Sequence, residues 1–212
     1  MTGAKALTVV AAATVAMLVP SCTRTVEDAR AVAAEDRPTS VQSDDSECTP
    51  VDAPLATIPS DAGEPVMKIP QPSGWERRTE MDSEMLRYTI RNESSGGTAV
   101  VTYESVRGAG DPDDALEGAR EGMLELLGAD AELDITRHRQ CGHTAETIQY
   151  MNPGLGQMGP LPATALVVVM VHKGSTYIAS VNVLSKNPGD PTYAADAETI
   201  ITGFQMLPPS PS

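Results

Sequence analysis

Apolar and polar positions alternate through residues 85–91, where Leu86, Tyr88 and Ile90 interleave with Arg87, Thr89 and Arg91. A period of two predicts a half-buried strand. Residues 98–106, "TAVVTYESV", follow after the turn-forming "NESSGG", so the two segments read as a hairpin. The pattern then lengthens to a helical period. Ala115, Leu116, Ala119, Met123, Leu126 and Leu127 recur at three, four and seven, behind the cap sequence "DPDD" and ahead of Gly128. Four more strands are predicted over 132–139, 145–151, 164–172 and 176–184, with "HKGS" as a tight turn between the last two. "ALVVVMV" (residues 165–171) has no polar face, which predicts a strand covered on both sides. A closing helix starts at Asp190 and Pro191 and presents Ala197, Ile200, Ile201 and Phe204 to a core. Strands, helix, strands, helix with hairpin-length turns predict an α+β fold with a mainly antiparallel β-sheet flanked by two helices.

The ends of the chain read differently. Lys5, the uncharged run from Ala6 to Val19 and the small residues after it describe a signal peptide over residues 1–21, too short for a comfortable mature membrane span. Its exit, "LVPSC", resembles the bacterial lipobox, which implies cleavage before Cys22 and acylation of that cysteine. Residues 22–64 are acidic and poor in large apolar side chains, the composition of a flexible tether. The folded domain is expected over residues 65–206, opened by a short strand at "VMKI" and the turn-rich "PQPSGW", with a frayed tail at 207–212. Two or three acyl chains hold a protein stably at a membrane, so the expected location is the extracytoplasmic face of the cell membrane.

Charge narrows the choice of partner. The chain carries a formal charge of −14, and 3% of its residues are aromatic. A chain without a basic stripe has nothing to neutralise phosphates, so nucleic acid is excluded as a partner. Anionic headgroups repel it as well, which leaves the covalent anchor to hold it to the membrane.

The densest chemistry lies in "RHRQCGH", residues 137–143. With Cys22 taken by lipid, Cys48 and Cys141 remain as a pair in an exported protein, and a disulfide is expected. Zinc needs four ligands in closed geometry, whereas His138, Cys141 and His143 give three at most, and in one extended strand the two histidines would face opposite ways. A cysteine nucleophile would need a histidine within reach and a third group to orient it, which sequence proximity does not settle. No metal, cofactor or catalytic residue is therefore assigned. Asp111, Asp113 and Asp114 are read as helix caps, because the glycine and distal glutamate of a calcium loop are missing.

"GLGQMG" (residues 154–159) matches a dinucleotide fingerprint by letter only. The fingerprint must open directly into a helix, and here Pro160, Pro162 and a strand follow. What remains is an uncharged loop with Leu155, Met158 and Leu161, the candidate contact residues for a hydrophobic ligand or a partner.

"KIPQPSGW" (residues 68–75) and "AETIITGF" (residues 197–204), taken with the lipobox and the element order, resemble the LpqN/LpqT-type actinobacterial lipoproteins. The likeness covers residues 66–206, although the tether here is acidic rather than rich in Ser, Thr and Pro. The resemblance implies a PsbP-like fold, with an antiparallel sheet between helices, and an association with envelope proteins or envelope lipids. No catalytic residues come with it. Two functions are expected to compete, a non-enzymatic accessory or adaptor lipoprotein and a carrier of an envelope lipid or other hydrophobe. An enzyme stands behind both.

Overall fold

The computed structural model describes residues 48–108, 110–154 and 159–210. Cys22, the signal segment, the tether as far as residue 47, and Leu155 and Met158 of the candidate loop lie outside them. Every described residue belongs to the compact unit Gln42–Ser212.

A large antiparallel sheet organises the domain. Its strands in chain order are β3 (Trp75–Arg78), β4 (Leu86–Asn92), β5 (Gly97–Arg107), β6 (Leu133–Gln140), β7 (His143–Asn152), β8 (Leu161–His172) and β9 (Ser175–Ser185). Their spatial order is β3-β4-β5-β9-β8-β7-β6. A smaller sheet places β2 (Val66–Pro70) between β1 (Leu55–Thr57) and β10 (Gln205–Leu207). Helices α1 (Pro112–Leu127) and α2 (Pro191–Gly203) pack on opposite faces of the large sheet. The α+β architecture is the one the residue pattern predicts.

Both helices begin where the Asp-Pro pairs stand. The Asp111 carboxylate accepts from the Asp113 N–H, and Asp190 accepts from the N–H groups of Thr192 and Tyr193. Each cap satisfies donors that the first helical turn cannot use internally. The two-residue turn Lys173-Gly174 has positive φ at both positions, as does Cys141-Gly142. Such turns match the strand twist and fix hairpin register.

Strand β8 is buried on both faces, as its unbroken apolar run predicts. Leu166, Val168 and Met170 join the main core, with Val181 and Val183 of β9, Ile90, Phe204, and Ile200 of α2. Ala165, Val167 and Val169 face the other way, beneath α1, with Leu116 and Ile148. Trp75 is buried, and its Nε1 donates to the Asp196 carboxylate of α2 at 2.7 Å. A Cβ at Gly97 would meet the Trp75 ring at 2.8 Å, so the hairpin residue must be glycine.

Two boundaries differ from the sequence expectation. Residues 48–64 are not free tether, because Leu55–Thr57 pair with β2 and Ile58 is fully buried. Val51 packs within 2.6 Å of where a Gly203 Cβ would stand, which closes this segment over the end of α2. At the other end, Leu207 belongs to β10 rather than to a tail. Short strands gain their stability from partners distant in sequence, so their own composition does not reveal them.

Candidate functional site

The two faces of the large sheet are covered unequally. The face carrying the main core is closed by α2 and the small sheet. On the opposite face α1 lies over β7 and β8 and leaves the β5–β9 half beside it open. The result is a groove of about 1080 Å³ between helix and sheet, at the upper end of the roughly 300–1,000 Å³ typical of small-molecule sites.

The helix sequence explains why the groove stays open. At 3.6 residues per turn, Ala115, Gly118, Ala119 and Gly122 fall on one strip, and Leu116, Arg120, Met123 and Leu127 on the neighbouring one. The bulky strip meets the sheet, with Leu116 fully buried there. The small strip lines the groove, and a Cβ built on Gly118 or Gly122 would meet nothing within 4 Å. Leu126, predicted to join the core, is instead 86% exposed at the rim, with Met85 and Val106 also exposed beside the groove.

The floor is formed by Ala165, Val167, Ile178 and Leu184. Tyr150 of β7 reaches across β8, past the small side chains of Ala163 and Ala165, and its hydroxyl donates to Asn182 Oδ1 of β9 at 3.1 Å. Burial raises the Tyr150 pKa above 10, so the phenol remains a donor at neutral pH. Leu161, one of the sequence-predicted contact residues, opens β8 and lines the end of the groove near Asn152 and Gly154. No helix follows the "GLGQMG" stretch, since the chain enters β8 at once.

An ion pair fixes the roof. Glu146 of β7 is 2% exposed, and both of its oxygens accept from Arg120 of α1, at 2.7 and 2.9 Å. A second pair, Arg137 with Asp113, ties the start of α1 to β6 at the exposed surface.

Cys48 and Cys141 are joined in a disulfide, as expected. Cys141 and Gly142 form a two-residue turn rather than part of one extended strand. His138 and His143 therefore lie on adjacent strands, with His138 opposite Ala145 and Gln140 opposite His143, and the two imidazoles share a face of the sheet. The single extended strand that would point them apart is not formed. That face meets the end of α2, where Gln140 Nε2 donates to the carbonyls of Thr202 and Phe204. Among the described residues no group of three or more His, Cys, Asp or Glu is arranged to hold a metal ion.

Burial lowers the His143 pKa below 6.5, a hydrogen bond with the Met206 backbone opposes the shift, and the charges of Arg139 and His172 add to it. With the folded value depressed, the unfolded chain takes up the proton first. This histidine's contribution to stability is therefore complete above about 6.5 and falls as pH drops from there through the folded value. An NMR titration of the His143 ring protons should give a midpoint below 6.5; one above it would refute the assignment.

No protein-family model matches the chain, and no curated protein matches its sequence. Solved structures do match. LpqN, described as involved in cell envelope biogenesis of Mycobacterium tuberculosis, superposes with a TM-score of 0.57 at 18% identity, covering 73% of this chain and 91% of that one. The chain has an LpqN-type fold. Cyanobacterial PsbP (CyanoP) from Synechocystis sp. PCC 6803 also matches, with a TM-score of 0.49 at 18% identity over 76% of this chain and 98% of that one. The LpqN-type fold accounts for the sheet and helices but not for the chemistry of the groove, which rests on this chain's own residues. Among the described residues no helix is long and apolar enough to cross a membrane.

The sequence reading located one end of the groove, at Leu161, and missed its walls. The spacing Ala115-x-x-Gly118-Ala119-x-x-Gly122 was the available signal.

Proposed function

We propose that this protein is a non-catalytic, lipid-anchored binding domain of the cell envelope that holds the acyl chain of an envelope lipid between α1 and the sheet. The groove carries the reading. From Thr176 to Leu184 along β9 it runs for roughly 27 Å at strand rise, whereas one acyl chain spans about 15 Å, half the hydrocarbon core of a bilayer. A chain and a headgroup both fit. Sixteen buried methylenes contribute roughly 13 kcal/mol gross. An association cost of about 4–5 kcal/mol, at the low end of the estimated range, leaves on the order of 8 kcal/mol, a micromolar affinity. The lipobox at Cys22, the disulfide and the described role of LpqN in cell envelope biogenesis support the location.

An adaptor role is the second reading, favoured by the exposed apolar side chains of Met85, Val106 and Leu126 beside the groove. These residues would then cover a partner's groove.

Filling the groove separates the two. The double variant Gly118→Leu/Gly122→Leu places side chains in open space on a helix and removes two poor helix formers, so stability should rise by about 1 kcal/mol in all. Native mass spectrometry of protein from its own host should show lipid on the wild type and none on the variant. Lipid retained by a folded variant would refute the groove. Loss of lipid with crosslinked partners unchanged would divide binding from docking.

A further inference from the structure

The groove is lined mainly by apolar side chains, and its two ends differ in charge. Glu104 and Arg107 of β5 and Asp111 and Asp114 at the start of α1 line one end. They are brought together by Thr176, which lies opposite Val106 in the β5–β9 register and accepts from the Gly110 N–H at 3.1 Å. Three carboxylates against one guanidinium leave a surplus of two negative charges there. The other end, at Asn152, Gly154, Leu161 and Leu184, carries no charged side chain among the described residues.

A helix N-terminus beside a cavity would ordinarily draw a phosphate or carboxylate, since its free N–H groups and dipole favour negative charge. In this chain the position is already taken. Asp111 caps the helix, and Asp113 and Asp114 stand in its first turn. An anionic headgroup at this end would meet carboxylates in place of free donors, inside the field of a chain with a formal charge of −14.

We propose that the groove selects amphiphiles with a cationic headgroup, such as an amine carried on an acyl or alkyl chain, with the ammonium among Glu104, Asp111 and Asp114 and the chain tail running toward Leu161. This rests on the groove being a lipid site at all. Its own content is the sign of the headgroup. Dodecylammonium, dodecyl maltoside and dodecanoate have similar tails and differ in head charge, so their binding to the mature full-length protein below micelle concentration isolates that sign.

Dodecylammonium should bind at least about tenfold more tightly than the other two, as expected for close pairing with two carboxylates near a protein surface. Raising the salt concentration should shrink the difference. The double variant Glu104→Gln/Asp114→Asn, which spares the capping Asp111, should remove most of the preference while leaving dodecyl maltoside binding unchanged. The same amine should be lost from Gly118→Leu/Gly122→Leu. Equal affinity for the three amphiphiles, or tightest binding of dodecanoate, would overturn the charge selection while leaving the groove as a lipid site. Amine binding that survives groove filling would overturn it as general surface attraction. If none of the three bound, the groove reading itself would fail.

Discussion

Arg120→Met is expected to destabilise the protein by about 3 kcal/mol, because it leaves the Glu146 carboxylate buried without its partner. The glutamate is 2% exposed and takes both of its short hydrogen bonds from Arg120. The low end of the usual 3–5 kcal/mol range applies, since the arginine side chain is 30% exposed and water reaches the pair from that side. Replacing both partners, Arg120→Met with Glu146→Leu, should recover most of the loss by removing the buried charge altogether. Urea denaturation of the two single variants and the double variant closes a cycle that measures the coupling. A double variant no more stable than Arg120→Met would show that the pair acts through helix packing rather than charge. The pair also holds the groove roof to β7, so Arg120→Met should weaken ligand retention even where the fold survives.

Reduction of the Cys48–Cys141 disulfide should cost about 4 kcal/mol. The two cysteines are 93 positions apart, and a loop near 100 residues long gives about 4.7 kcal/mol in the chain-entropy model, from which real bridges usually fall short. That cost arises in the unfolded chain, whereas loosening of the folded protein should begin locally. The bridge pins the segment leading to β1, whose three residues pair with β2, and Val51 of that segment lies against Gly203. Calorimetry with and without reductant, with Cys48→Ser/Cys141→Ser as the permanently open form, measures it. Hydrogen exchange in the reduced protein should speed up first at residues 55–58. A change below about 1 kcal/mol would mean that the unfolded chain is already restricted in that loop.

Much of the fold was legible because local signals agreed with one another. Asp111-Pro112 and Asp190-Pro191 mark both helix starts, Gly128 follows the first helix, and Lys173-Gly174 turns the last hairpin. The small sheet was not legible. Its outer strands are three residues each, and Leu55–Thr57 sit in an acidic, proline-bearing stretch whose composition outweighs them. The break between the strands expected over 132–139 and 145–151 was legible, but the tight turn at Cys141-Gly142 was not. Asn-Gly and Asp-Gly are the familiar two-residue turns, and a cysteine at positive φ gives no such warning. In the groove, small residues on α1 read equally well as a close-packing stripe or as an open wall. Which one they form depends on how far the helix sits from β5 and β9, and that distance is set by Leu116 and the Arg120–Glu146 pair on the neighbouring strip.

The parity of β9 assigns separate duties to alternate residues. Ala179, Val181 and Val183 point into the main core, while Ile178, Ser180, Asn182 and Leu184 point into the groove. A library randomised at the second set would alter the binding surface without touching the contacts that hold the sheet to α2. The same number of changes at the first set would mostly return unfolded protein. Core packing and groove lining are thus encoded on alternating letters of the same eleven-residue strand, so the groove's lining can be varied one strand position in two.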